Sequence, residues 1–347
     1  MKTTPQYLLD NLKNYPNEPA ISIKDTNGNW DTNNWEEFYR EVLNVAKSFL
    51  ACGVDKDDKI SIYSYNRKEW NICYAAAQFV NAVAVGVYHT CSSEEVEWVV
   101  GNSESKIIFV GHNPGDNDEK EKMPNHRLNA CIENLQKVER VVALEGVEKL
   151  ENSKFITWRD FLIMGSKISD SEVLERTEKL KPDNTSSLIY TSGTTGNPKG
   201  VELTYKNWTF LMDGLLTFLK FNQSERIISW LPFGQALDNH YWVRRALHMH
   251  IVDSPLNTVD YAKEIQPHLF CSVPRIYEKV YDNLRSAINS KPILKYGLKI
   301  PGLSGLLKKK LKAAAGFGEL RFGISGAAPI NPDILQMFHE LNIPLYE

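Results

Sequence analysis

From about residue 58 the apolar positions of the chain fall into two alternating rhythms. Short β-type runs, "KISIYS" (59–64), "AVGVYHT" (84–90), "KIIFVG" (106–111) and "ERVVAL" (139–144), are separated by amphipathic stretches, "KEWNICYAAAQFVNA" (68–82) and "SEEVEWVVGNS" (93–103). That succession predicts a parallel sheet wrapped by helices. The polar segment 112–127, with Pro and Gly near both ends, predicts an exposed loop. Further on, Trp208, Leu211, Met212, Leu215, Leu216 and Leu219 recur at helical spacing and predict a helix over 207–220. Strands follow at "RIISW" (226–230), "HLFCS" (268–272) and "LRFGIS" (320–325), with a long helix starting near Pro274. Asn331 and Pro332 form a suitable N-cap and first-turn pair for a helix through Asn342. The expected fold is α/β, two stacked, mostly parallel sheets wrapped by helices, with coarse subdomains 1–205 and 206–347. "NIPLYE" (342–347) reads as one more buried strand at the last residues, so the sequence is expected to be part of a longer protein.

Composition narrows the class. With 347 residues, 42% hydrophobic and 24% charged, the chain has the balance of a soluble globular protein. A net charge of −3 gives no reason to expect a nucleic-acid partner. No apolar run approaches the roughly 18 residues of a membrane-spanning helix, and the N-terminus lacks the apolar core of a secretory signal. Five cysteines, none in a CxxC pair and most in apolar company, fit reduced intracellular thiols and a cytoplasmic setting. His240, His248 and His250 cluster loosely. The last two are expected at the end of a helix with no third ligand, so a metal is not expected there. "LLKKKLK" (306–312) reads first as a solvated basic face, and second as a contact for anionic lipid or coenzyme A phosphates; peripheral membrane contact stays open.

The chemistry concentrates in "YTSGTTGNPKG" (190–200), with four hydroxyls, three glycines and one lysine. A flexible linker is the bland reading, but the β-type runs "SSLIY" (186–190) and "VELTY" (201–205) flank it. A helix-opening phosphate loop, G-x-x-x-x-G-K-[S/T], fails on spacing, because Pro198 stands five residues beyond Gly193 and Gly200 follows Lys199. The remaining reading is a hairpin-borne phosphate grip. Glycines let backbone N–H groups turn toward an anion, hydroxyls add donors and a Mg²⁺ ligand, and Lys199 brings a mobile point charge.

"YTSGTTGNPKG" also resembles, at every position, the signature of the adenylate-forming acyl-CoA synthetase and luciferase superfamily. The resemblance covers nearly the whole chain and is strongest to long-chain fatty-acid–CoA ligases, including the bubblegum-like branch. "GVYHTCSSEEV" (86–96) is similar to their turn after the second strand, "SVPRIYEKVY" (272–281) to their Pro–Arg helix start, and "RFGISGAAPI" (321–330) to their adenine-facing loop.

The resemblance implies two half-reactions: a fatty acid and ATP give an acyl-adenylate and pyrophosphate, then coenzyme A displaces AMP. It implies that Thr191, Ser192, Gly193, Thr194, Thr195, Gly196 and Lys199 embrace the β- and γ-phosphates. Lys199 and Thr194 would carry the catalytic weight, and Thr194, or failing it Thr195, would ligate Mg²⁺. It implies adenine contact at Ser325, Gly326, Ala327, Ala328 and Pro329, although a tight turn needing small residues explains the same letters. The turn 229–240 corresponds to the acyl pocket, where Trp230, Phe233 and Trp242 either line a channel or are core. Gln235 departs from the histidine common in relatives; it hydrogen-bonds but cannot titrate. A Tyr-Gly-x-Thr-Glu-type motif, the ribose-binding aspartate, the hinge and the C-terminal lid with its lysine are expected beyond Glu347. Residues 1–347 would then be the incomplete large N-terminal domain, with little activity alone. Two alternatives remain: another adenylating enzyme (aryl- or medium-chain acid–CoA ligase, luciferase-like), or a non-catalytic nucleotide- or acyl-binding protein.

Overall fold

The structure is a computed structural model and describes residues 1–347 apart from 113–119, 192–195, 231–239 and 241. Two compact units emerge: 1–220 with 232–246, and 221–231 with 247–347. The helix Tyr205–Phe218 stays with the first unit, because Trp208 Nε1–H donates to the buried Ser187 hydroxyl at 3.1 Å and Tyr205 OH donates to the Gln78 carbonyl.

In the first unit, β1 (Pro19–Lys24) and β2 (Trp30–Asn34) form an antiparallel hairpin. A seven-stranded sheet then contains β3 (Lys59–Ser64), β4 (Val83–Val87), β5 (Ser105–Gly111), β6 (Arg140–Ala143), β7 (Phe155–Thr157), β8 (Thr185–Thr191) and β9 (Lys199–Thr204), in the order β7-β6-β5-β3-β4-β8-β9. Every neighbour is parallel except β9, which returns antiparallel to β8. Strands buried on both faces read as apolar runs, and here Val85, Ile108, Val110 and Val141 pack with Val96, Val100 and Leu128 of the covering helices. The helix Lys68–Phe79, expected to be amphipathic, is instead buried along every residue from Trp70 to Phe79, Asn71 and Gln78 included.

Caps set the helix starts. Ser92 and Glu95 exchange a capping box ahead of Ser93–Ser103, and Thr204 and Asn207 do the same, so the helix expected from Asn207 starts at Tyr205. The strand expected over 84–90 ends at Val87. Of the loop expected over 112–127, the last residues open the helix Pro124–Cys131.

In the second unit β10 (Arg226–Ser229), β11 (His248–Ile251), β12 (Leu269–Ser272), β13 (Phe322–Ser325) and β14 (Leu345–Tyr346) run parallel, in the order β14-β13-β12-β10-β11. His248 and His250 therefore lie on a strand rather than a helix end, held by the pairing of Arg226 with His248 and Ile228 with His250. Helices Pro274–Ser290 and Pro332–Glu340 pack Tyr277 and Phe338 with Phe270 and Phe317 into an aromatic cluster. The architecture of mostly parallel sheets wrapped by helices is thus the observed one. Among the described residues no helix is long and apolar enough to cross a membrane.

Candidate active site

The glycine- and hydroxyl-rich motif is a hairpin connection. Tyr190 pairs with Gly200 and Thr191 with Lys199, which places Thr191 and Lys199 opposite each other at its neck, both exposed. Ser192, Gly193, Thr194 and Thr195 lie outside the described residues. Gly196 has φ +96°, a left-handed value that favours glycine. Gly200 is close-packed: a Cβ there would sit 3.0 Å from Cζ and 3.2 Å from the hydroxyl of Tyr190, so the ring would have to give by a few tenths of an ångström. Tyr190 in turn donates its hydroxyl proton to Asn102 Oδ1 at 2.7 Å, and Trp98 Nε1–H donates to the Pro198 carbonyl at 2.9 Å. Both limbs of the hairpin are therefore tied to the helix Ser93–Ser103.

The turn after β4 is pinned as firmly. Arg127 Nη1 donates to the carbonyls of Thr90 (3.0 Å) and Cys91 (2.9 Å), and Tyr63 OH donates to the Cys91 carbonyl at 2.8 Å. Burial holds the Tyr63 phenol protonated, well above its usual range. The motif and this turn lie beyond the carboxyl ends of adjacent parallel strands β8 and β4, the edge where open α/β sheets bind ligands.

In the second unit the loop 326–329 leaves the carboxyl end of β13, with all four residues exposed. Gly326 N–H donates to the Ser272 carbonyl at 3.0 Å. Ala327 has φ +70°, an unusual backbone state for a residue with a Cβ and a mark of stored strain. A Cβ built on Gly326 would meet no atom within 4 Å, so internal packing does not require glycine there. The Asn331 side chain accepts from the Asp333 N–H at 2.9 Å and starts the following helix.

Three serines close this edge. Ser229, Ser272 and Ser325 end β10, β12 and β13, all are buried, and none of their hydroxyls has a hydrogen-bond partner among the described residues. Ser272 and Ser325 are register partners across the two strands. Buried hydroxyls without partners are costly and rare, and three of them stand at the carboxyl ends of strands in this one sheet. Sequence reasoning proposed Ser325 alone, yet the signal was present: the strands read "RIIS", "LFCS" and "FGIS", each closing on serine.

Of the acyl-pocket candidates, Trp230 is buried and its Nε1–H donates to the Cys271 carbonyl at 3.1 Å. Phe233 and Gln235 lie outside the described residues. Trp242 is core of the first unit: it is fully buried, stacks on Trp35 at 5.0 Å and donates to the Ala20 carbonyl. His240 belongs to that unit as well, while His248 and His250 lie in the other. Burial pushes all three down, to about 3, about 4 and about 3 respectively, so they stay neutral at physiological pH. Among the described residues no group of three His, Cys, Asp or Glu side chains could hold a metal ion.

Known proteins resemble this chain in sequence and in fold. The family model of the AMP-binding enzyme matches residues 8–347. Long-chain-fatty-acid–CoA ligase ACSBG2 of Gallus gallus is 29% identical, with 100% of this chain and 49% of that protein covered. Its namesake of Homo sapiens is 27% identical, with 99% and 55% covered. The chain spans about half the length of the curated relatives it matches. Among solved structures, the inhibitor-bound N-terminal domain of FACL13 from Mycobacterium tuberculosis is similar with a TM-score of 0.72 at 16% identity, covering 99% of this chain and 75% of that one. The anthranilate CoA ligase AuaEII with anthranoyl-AMP gives 0.73 at 15% identity, covering 99% and 59%. These two likenesses show the fold. The family match, over nearly the whole length, shows more: this chain belongs to the AMP-binding enzyme family.

Proposed function

We propose that the chain serves ATP-dependent activation of a long-chain fatty acid, as the adenylating part of a fatty acid–CoA ligase. A carboxylate oxygen of the acid attacks the α-phosphorus, the bond to the bridging oxygen breaks, and pyrophosphate leaves. Coenzyme A thiolate then attacks the acyl carbonyl of the adenylate and AMP departs. The single observation that carries the reading is the hairpin 190–200, which holds Lys199 opposite Thr191 at its neck while Tyr190 and Pro198 are anchored from outside.

In this reading the 191–199 segment binds the β- and γ-phosphates. Charge building on the leaving pyrophosphate meets the Lys199 ammonium and fixed donors, an arrangement worth roughly 10²–10³ in rate per donor at sites of this kind. Threonine hydroxyls are the oxygen donors Mg²⁺ prefers, so Thr194, with Thr195 as second choice, would complete the metal's shell beside the phosphates. Bound Mg²⁺ supplies neutralisation of phosphate charge. The loop Ser325–Pro329 faces adenine, consistent with open space at Gly326 and strain at Ala327. Trp230, Phe233 and Gln235 belong to the acyl pocket, where each methylene transferred from water gains about 0.8 kcal/mol.

Exchange of pyrophosphate into ATP, driven by acids of graded length on the full-length protein, tests the proposal. Exchange should rise with chain length into the long-chain range. A flat response, or a preference for aromatic acids, overturns the substrate class.

A further inference from the structure

One segment of the chain departs sharply from the rest in charge. Residues 283–318 carry eight Lys or Arg and no Asp or Glu, whereas the remainder carries 32 basic and 43 acidic side chains. The structure turns that segment into a surface. Helix Pro292–Gly297 packs against helix Leu303–Ala314 so closely that a Cβ on Gly297 would stand 2.7 Å from Leu307 Cδ1. Leu307 and Leu311 face inward, and Lys312 also turns in, donating to the Leu320 carbonyl at 3.0 Å. Outward stand four large apolar side chains: Ile293 (66% exposed), Tyr296 (62%), Ile300 (51%) and Leu306 (53%).

Lysines interleave with them. Lys291, Lys295, Lys299, Lys309 and Lys310 are exposed, and none of them is paired with a carboxylate among the described residues. Arg285, Lys295, Lys299 and Lys308 also line a recess of about 420 Å³, with Ile288, Leu298 and Leu341 among its apolar walls and Glu340 as its one acid.

We propose that this helical pair is a docking surface for an anionic phospholipid membrane, with the apolar side chains entering the headgroup boundary and the lysines bound to lipid phosphates. Charge complementarity selects the partner. Apolar residues alternating with unpaired lysines suit an interface that is oily beneath and negative above, and long lysine stems reach past the apolar layer to the headgroups. A nucleic acid would satisfy the lysines but leave Ile293, Tyr296, Ile300 and Leu306 in water. The inference uses charge and exposure alone, so its failure would leave the ligase reading untouched.

Flotation of the 347-residue chain with vesicles tests it, using phosphatidylcholine alone and the same vesicles enriched in phosphatidylserine. Binding should favour the anionic vesicles at least tenfold and weaken as salt is added. Each lysine near such a surface contributes roughly fivefold, so Lys295→Glu, Lys299→Glu and Lys309→Glu together should lower partitioning on the order of a hundredfold. Ile293→Ser, Tyr296→Ser and Ile300→Ser together should also release the chain. A control with Lys13→Glu, Lys56→Glu and Lys179→Glu carries the same charge change elsewhere and should bind as the unsubstituted chain does; matched thermal melts establish that all variants are folded. Equal partitioning onto both vesicle types, equal loss in the control, or tighter capture by RNA than by anionic vesicles would overturn the proposal.

Discussion

His240 gives a pH dependence that can be worked out from its surroundings. The ring is 3% exposed and stacks on Trp208 at a centroid distance of 4.2 Å. Its Nδ1 lies 2.6 Å from Thr4 Oγ1 and its Nε2 lies 3.0 Å from Tyr74 OH, so both nitrogens are satisfied by hydroxyls. With water excluded, the charged form is penalised and the group titrates at about 3. In the unfolded chain it titrates near 6.5. A folded value below the unfolded one means that the unfolded state binds the extra proton between those limits. The stability contributed by neutral His240 is therefore full above pH 6.5 and is lost as pH falls through that window. Between pH 7 and pH 5 this one residue should cost about 2 kcal/mol. Urea unfolding at a series of pH values, for the unsubstituted chain and for His240→Gln, isolates the contribution, since His248, His250 and the carboxylates are common to both. The difference in unfolding free energy should shrink by about 2 kcal/mol on going from pH 7 to pH 5. Parallel pH profiles would refute the assignment of a buried, neutral His240.

Four further substitutions separate site from scaffold. Ser272→Ala removes a buried hydroxyl with no partner among the described residues and should leave stability unchanged or raise it by about 1 kcal/mol, whereas Ser61→Ala breaks the 2.6 Å bond to Ser105 and should cost about 1 kcal/mol; equal losses in urea midpoints would contradict the strand-edge account. Gly326→Ala meets no neighbour within 4 Å, so stability should stay within about 0.5 kcal/mol while nucleotide affinity falls. A destabilised chain with unchanged affinity would return the loop to a packing role. Gly200→Ala should displace the Tyr190 ring, cost roughly 1–3 kcal/mol by denaturant unfolding and weaken triphosphate binding; an unperturbed melt would show that the ring has room to move.

The central strands were legible because parallel strands covered on both faces appear as unbroken apolar runs, as in "KISIYS" and "KIIFVG". Helix Ser93–Ser103 was legible to the residue because Ser92 and Glu95 spell its cap. The β1–β2 hairpin went unread, since β2 is "WDTNN", a polar strand with no apolar period. β11 was misread because "HMHI" takes its strand character from pairing with β10 rather than from its own letters. The glycine- and hydroxyl-rich motif stood out in the sequence as a hairpin connection, but its anchors did not. Asn102 stands 88 residues from Tyr190 and Trp98 stands 100 from Pro198, and no local pattern links them. The three strand-ending serines fall between: their positions repeat in the sequence, but their missing partners appear only once burial is known.

The central claim is that the hairpin 190–200 grips the β- and γ-phosphates of ATP. Calorimetric titration of the 347-residue chain with ATP and with AMP, in the presence of Mg²⁺, tests it most directly, alongside Lys199→Ala. The account predicts tighter binding of ATP than of AMP, with that preference lost in Lys199→Ala while AMP affinity stays the same. Equal affinity for the two nucleotides in the unsubstituted chain, or an ATP preference that survives the loss of Lys199, would contradict it.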